Sequence, residues 1–212
     1  MRAVPVQLRF DTGLTSEEYV SRQAWREATL ECCPLHPQGG CGFAGHGTYE
    51  RAEPAGAHIA RWYCRQGHCT FSLLPDCLAA RFTGTLAAFE EAVACAEQSE
   101  SLERAADRLR PDVTDLFAAV RWLRRRRTLL RHVFSVLRGL LPELFADCLA
   151  PVDVFRSRLG CDCALVRLRA MAAPWLDVLP PPLGFGPWPQ RCGDSQTPHQ
   201  HSTGPDPPSP SR

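Results

Sequence analysis

The chain has 212 residues with 24 basic and 23 acidic side chains, and its formal net charge is +1. A chain of this length and ordinary composition can bury a proper core as one or two domains, which excludes a collagen-like or wholly disordered protein. No apolar run approaches the roughly 18 residues that span a bilayer, and the polar N-terminus lacks the apolar stretch of a signal peptide. The sequence therefore predicts a cytoplasmic protein that does not cross a membrane.

Residues 1–31 predict a short strand and a helix that pack on the next part of the chain. Apolar residues alternate with other types from Val4 to Phe10, which is typical of a strand. Thr15 and Glu18 then have the spacing of a capping box, which predicts the start of a helix.

Residues 32–75 predict a small β module, because glycine, cysteine and histidine become frequent and charge falls. Two strands are expected at 41–51 and 58–64, joined by a turn at 53–56, with a third strand at 70–74. Strands this short do not form a stable sheet alone, and a metal cross-link would supply what their core lacks.

Residues 76–173 predict a helical domain, and residues 174–212 a proline-rich tail. Helical patterns cover 83–98, 101–109, 113–141 and about 151–171. The tail holds 11 prolines in 39 residues and is expected to be largely disordered, although its segment 175–189 is apolar enough to dock on the helices or on a partner. The predicted fold class is α+β, with a zinc-ribbon-like hairpin module before a mainly helical domain.

Cysteine clustering predicts a structural zinc site. Eleven cysteines without a signal peptide argue against a disulfide framework, and five of them lie within 38 positions, beside four histidines. We expect Cys33, Cys64 and Cys69 as three of the ligands and either His36 or Cys41 as the fourth. His68 is an alternative to Cys69. A ribbon that holds by packing without metal is the other interpretation. The candidate ligands are Cys33, His36, Cys41, Cys64 and Cys69.

Charge is concentrated in the helical region, where residues 101–138 carry ten arginines and four acids, a net charge of +6. A short helix, a turn at 110–113 and a basic helix from 114 predict a helix-turn-helix, in which early residues face base edges and later arginines contact the phosphates of double-stranded DNA. An ordinary bundle with a solvated basic face is the alternative. The candidate DNA contacts are Thr114, Arg121, Arg124, Arg125, Arg126 and Arg127.

The stretch that runs from Cys33-Pro34 through GHGTY and RWYC to TFSLLP resembles the zinc-ribbon and helix-turn-helix N-terminal region of bacterial insertion-sequence transposase-related proteins. The resemblance covers residues 32–80 and extends loosely to about 140. It implies metal ligands at Cys33 and Cys64 and sequence-directed DNA binding of mobile-element origin. His36 stands where that family usually has Cys, and Cys69 is displaced by two positions.

These observations predict a DNA-binding protein that is not an enzyme. Transposase chemistry needs carboxylates that hold two metals on a sheet, and no strand-rich segment follows Pro75. The alternatives are a zinc-stabilised protein-interaction module that docks through its proline-rich tail, or a non-functional mobile-element remnant. A thiol redox protein is disfavoured, because neither Cys32-Cys33 nor Cys161-x-Cys163 is a CxxC motif at a helix N-terminus.

Overall fold

The computed structural model describes residues 6–111 and 115–186. Over these ranges the predicted α+β fold class is confirmed, since a four-stranded mixed sheet precedes a mainly helical region. The strands are β1 (Gln7–Phe10), β2 (Ala44–Glu50), β3 (His58–Cys64) and β4 (Cys69–Pro75). The α-helices are α1 (Ser16–Ser21), α2 (Leu86–Gln98), α3 (Leu102–Leu109), α4 (Leu116–Leu140), α5 (Pro142–Phe145), α6 (Val152–Leu159) and α7 (Ala164–Met171).

The sheet has the order β1-β4-β3-β2, with β1 parallel to β4 and the other two pairs antiparallel. The three strands predicted between residues 41 and 74 are confirmed as β2, β3 and β4. The N-terminal strand forms the edge of the sheet, where Leu8 is in register with Leu73. One hairpin joins β3 to β4 and another joins β2 to β3, so these three strands are built from local connections.

Two side chains fasten the N-terminal segment to the sheet. Arg9 donates from Nε and Nη2 to the carboxylate of the buried Asp76, over 2.9 and 2.8 Å, and this hydrogen bonding raises the pKa of Arg9. The hydroxyl of the buried Tyr19 donates to the carbonyl of His58 at 2.8 Å. The described part of the segment therefore packs on the β module, as predicted.

Side-chain caps define where the helices begin. Thr15 and Glu18 form the predicted capping box of α1. Thr85 and Ser101 cap α2 and α3 through their hydroxyl groups, within two residues of the predicted starts at 83 and 101. The carboxylate of Asp115 caps α4 by accepting from the amide of Ala118 at 3.0 Å.

One main core joins the sheet to the helices. Ile59 and Leu74 project from β3 and β4 against buried residues of α2, α4, α6 and α7. The same core includes Leu179, Leu183 and Phe185, so this part of the proline-rich tail is built into the folded body. Residues 187–212, where disorder was predicted after about 193, lie outside the described residues.

A buried carboxylate links α2 to the start of α7. Glu90 accepts from the backbone amides of Ala164 and Leu165 at 3.0 and 2.7 Å, and from Nε of Arg156 at 2.6 Å. No side chain of α7 itself caps its N-terminus. Glu90 therefore caps the helix from a neighbouring one, where a negative charge also complements the helix dipole.

A buried guanidinium joins the loop after β4 to the C-terminal segment. Arg169, on α7, has no solvent exposure. Burial lowers its pKa to about 10, so it remains charged at neutral pH. Its five acceptors are all backbone carbonyl oxygens, at 2.5 to 3.3 Å: those of Pro75, Asp76, Leu78, Pro182 and Leu183.

Replacing Arg169 with methionine is expected to lower the free energy of unfolding by at least about 3 kcal/mol, because several buried carbonyl oxygens lose their donor together. Urea denaturation followed by circular dichroism measures this change. Arg167→Met, an exposed position of the same helix, is the control and is expected to change stability by less than about 0.5 kcal/mol. Equal losses in both variants would contradict the prediction.

Candidate functional site

Three cysteines and one histidine converge beside the sheet. The ligand atoms of Cys33, His36, Cys41 and Cys64 all lie within 4.8 Å of one another, so the group can hold a metal ion. The three cysteines are buried, and the histidine is partly exposed at the edge of the cluster. In sequence the spacing is C-x2-H-x4-C-x22-C, which takes ligands from three separate segments of the β module.

The first segment is a tight turn before β2. The amide of His36 donates to the carbonyl of Cys33 at 3.1 Å, and the turn directs both side chains to the same point. Nδ1 of His36 lies 3.6 Å from Sγ of Cys33 and 3.4 Å from Sγ of Cys64. In a tetrahedral site with metal–nitrogen and metal–sulfur bonds of zinc's length, such atoms would lie about 3.6 Å apart. The distances therefore suit a tetrahedral ion of this size.

The second segment is the hairpin between β3 and β4. Cys64 ends β3, and its Sγ accepts from the amide of Gly67 at 3.2 Å. Gly67 occupies the position that a second ligand would have in a CxxC knuckle. A Cβ atom there would lie 2.5 Å from Cδ1 of Leu35, so a side chain at this position would require Leu35 to move.

The third segment supplies Cys41 instead. Gly39 and Gly40, just before it, have φ values of 82° and 78°, a left-handed conformation that glycine adopts easily. The carbonyl of Cys41 then accepts from the amide of Gln66 at 3.3 Å, which ties this loop to the second hairpin. Chain reversal at the two glycines thus brings the third thiol to the cluster.

The thiols of the cluster affect each other's protonation. Burial raises the pKa of Cys41 to about 11, and hydrogen bonds with Cys33 and Cys64 add to the shift. Burial acts on Cys33 in the same direction, but hydrogen bonds with His36 and backbone amides outweigh it and lower its pKa to about 7. Cys33 therefore loses its proton to an arriving cation more readily than Cys41 does.

Two residues considered as ligands lie outside the group of four. Cys69 pairs directly with Cys64 across the β3–β4 ladder, and burial raises its pKa. It packs against the cysteine cluster without joining it. Nδ1 of His68 lies 3.4 Å from the hydroxyl of Tyr63 and is exposed. Within the turn between Cys64 and Cys69, the amide of Gly67 donates to Sγ of Cys64, and the other three members of the group come from segments before β2.

The predicted DNA contacts on α4 differ in their exposure to solvent. Arg121, Arg124 and Arg125 are exposed and Arg127 is half-buried. Arg126 points inward, where its guanidinium carbon lies 3.9 Å from the ring centre of Trp122 and 5.1 Å from that of Phe89. The remaining candidate, Thr114, lies outside the described residues.

Helix α3 packs closely on α2 and the first half of α4. Ala105 and Ala106 are fully buried and contact a small core that contains Ala119 and Leu123 of α4. Small side chains at this crossing let the helices approach each other. The connection between α3 and α4 includes residues 112–114, which are outside the described ranges.

Sequence reasoning missed a basic residue beside α4. Arg81 follows β4 and lies in the same cleft as Arg121 and Arg125. It stands alone in the sequence, next to Phe82, and no charge run marks it. Its only local feature is a backbone φ of 60°, which the sequence does not reveal.

Comparison of the chain with family models finds no match, and comparisons with curated proteins and with solved structures find none either. Among the helices of the described residues, none combines the length and the apolar character needed to cross a membrane.

The cluster predicts different outcomes for two neighbouring cysteines. Cys41→Ser is expected to weaken cobalt(II) binding by at least about tenfold. Removing a residue that only orients a metal ligand typically lowers the affinity by this factor, and removing a ligand itself lowers it at least as much. Cys69→Ser is the matched control and is expected to change the affinity by less than about twofold. Titration of the metal-free protein, followed through its thiolate-to-cobalt absorption, measures both. A larger loss in Cys69→Ser than in Cys41→Ser would show that the ligand set is different.

Proposed function

We propose that this protein binds double-stranded DNA through the exposed face of α4, and that a structural zinc ion stabilises its β module. The observation that carries the proposal is the charge of α4, which has seven arginines and no acidic residue in 25 positions. A helix of this composition attracts phosphates. The zinc ion would shape the module and take no part in chemistry.

The ligand chemistry supports zinc as the ion. Three thiols and one imidazole form a soft donor set that suits zinc better than magnesium or calcium, which prefer oxygen ligands. Four protein ligands would complete a tetrahedral shell and leave no position for a substrate, as in structural zinc sites. All ten cysteines in the described ranges are free thiols, which fits the reducing cytoplasm as the proposed compartment.

The exposed face of α4 supports a role in phosphate contact. Arg121, Arg124 and Thr128 are exposed and follow one another at helical spacing along one side. Within the described residues, neither Arg121 nor Arg124 has a carboxylate within 4.0 Å. Further along the helix, Arg131 lies 3.7 Å from Glu97, so part of the positive charge is compensated there. The N-terminal half of α4 is therefore the stronger candidate for binding an anion.

The helical pair and the resemblance to the N-terminal region of transposase-related proteins are consistent with this proposal. In a helix-turn-helix, the second helix enters the major groove with its first turns and the preceding helix supports it. Here α3 packs on the first half of α4 and would play that supporting part. We assign no catalytic step to the chain.

Fluorescence anisotropy with labelled random-sequence duplex DNA, between about 50 and 200 mM salt, tests the proposal. We expect the affinity to fall by at least about tenfold over this range, because each phosphate contact releases counterions. Arg121→Gln combined with Arg124→Gln is expected to reduce the slope of log affinity against log salt by about two.

The control is Arg22→Gln combined with Arg158→Gln, which removes the same charge from the region of α1 and from α6. It is expected to leave the salt slope unchanged. Absence of binding at about 50 mM salt by the folded, zinc-loaded protein would contradict the proposal. A protein-interaction module would then be the leading function, and its docking segment would have to lie elsewhere than the buried residues 179–186.

A further inference from the structure

A cleft of about 500 Å³ separates the segment after β4 from the first half of α4. Four arginines line it, three of them on α4, together with two aromatic side chains. No acidic residue of the described ranges lines the cleft. The lining residues that matter are Arg81, Phe82, Arg121, Trp122, Arg125 and Arg126.

Arg126 provides a fixed positive charge in this cleft. Its guanidinium lies over the rings of Trp122, Phe89 and Phe82, at 3.9, 5.1 and 5.7 Å from their centres. These contacts hold the side chain half-buried between α4 and α2, where it cannot turn freely into solvent. Burial, followed by repulsion from Arg110, lowers its pKa to about 10, so it is still charged at neutral pH.

Arg81 faces the same cleft from the opposite side. Its backbone has a φ of 60°, a left-handed conformation that is unfavourable for a side chain of this size. Its Nη2 donates to the carbonyl of Phe185 at 3.4 Å, and with Phe185 it also lines a second cleft beside the sheet. A strained residue of this kind persists only where the surroundings impose it, and such residues are concentrated at binding sites.

The positive charge of Arg126 is only weakly compensated. Glu53, whose carboxylate lies near Gly84, attracts this guanidinium. Its attraction is smaller than the combined effect of burial and Arg110. Arg110 and Arg125 repel the half-buried Arg126, and a bound anion would relieve this repulsion.

We propose that this cleft is a phosphate-binding site. Planar guanidinium groups match the geometry of phosphate and can each donate two hydrogen bonds to it. The ligand carries its phosphate either as a free polyphosphate or as part of a nucleic-acid backbone. Arg121 belongs both to this cleft and to the exposed face of α4. Arg81 and Arg126 lie outside that face, so substitutions of these two residues test the cleft separately from the proposed DNA-binding face.

Calorimetric titration with pyrophosphate and anisotropy with duplex DNA, both on the full zinc-loaded chain, test the site. Arg81→Asn removes the guanidinium and keeps a residue that tolerates the left-handed conformation. We expect this variant to lose at least about fivefold in affinity for pyrophosphate, for DNA, or for both. Arg138→Gln, at the far end of α4, removes the same charge outside the cleft and is expected to have no comparable effect.

Arg126→Met is the second variant, since methionine keeps much of the apolar contact with Trp122. Losses smaller than about fivefold for both ligands, in both folded variants, would overturn the inference. If pyrophosphate displaces bound DNA, the phosphate belongs to nucleic acid; if it binds without displacing DNA, the ligand is a free polyphosphate. If the protein binds pyrophosphate through Arg81 but does not bind DNA, the phosphate-binding cleft is supported and the proposed DNA-binding function is contradicted.

Discussion

The buried guanidinium of Arg169 is the interaction on which the relation between sheet, helices and C-terminal segment depends. A charged group without access to water must have its donors satisfied, and here backbone carbonyl oxygens from two distant segments do so. Those segments also contact each other directly, since the amide of Ala80 donates to the carbonyl of Pro182 at 2.9 Å. Arg81 is the next residue, so the same anchor positions one wall of the arginine-lined cleft.

Most of the secondary-structure elements could be predicted because they depend on interactions between residues close in sequence. The exceptions depend on interactions between residues far apart in sequence. Caps such as Thr15 and Ser101 act within a few residues, so their spacing is enough to locate a helix start. The packing of Leu179 and Leu183 into the main core could not be decided in this way, because proline-rich composition favours an exposed chain. What holds this segment in place is a guanidinium on α7, and no sequence spacing reveals such a partner.

The metal centre shows the same division between local and distant information. All four residues that converge were among the candidates, since cysteine and histidine clustering is visible in composition. Sequence spacing placed Cys69 with Cys33 and Cys64 and left His36 and Cys41 as alternatives, whereas the structure brings both alternatives into the group and leaves Cys69 outside it. Cys41 reaches the group through the chain reversal at Gly39 and Gly40 and the hydrogen bond from the amide of Gln66 to its carbonyl. Neither feature can be read from spacing along the chain.

The arginine run of α4 shows why four equal side chains do not have equal roles. Consecutive residues of a helix are turned by about 100° from one another, so four in a row point to all sides. Arg126 lies one turn after Trp122, on the side that faces the aromatic rings of the preceding segments, and is held there. Arg124 faces solvent. Changing all four arginines at once would remove an aromatic packing contact together with surface charge. Substituting them one at a time distinguishes a loss of folding stability from a loss of phosphate affinity.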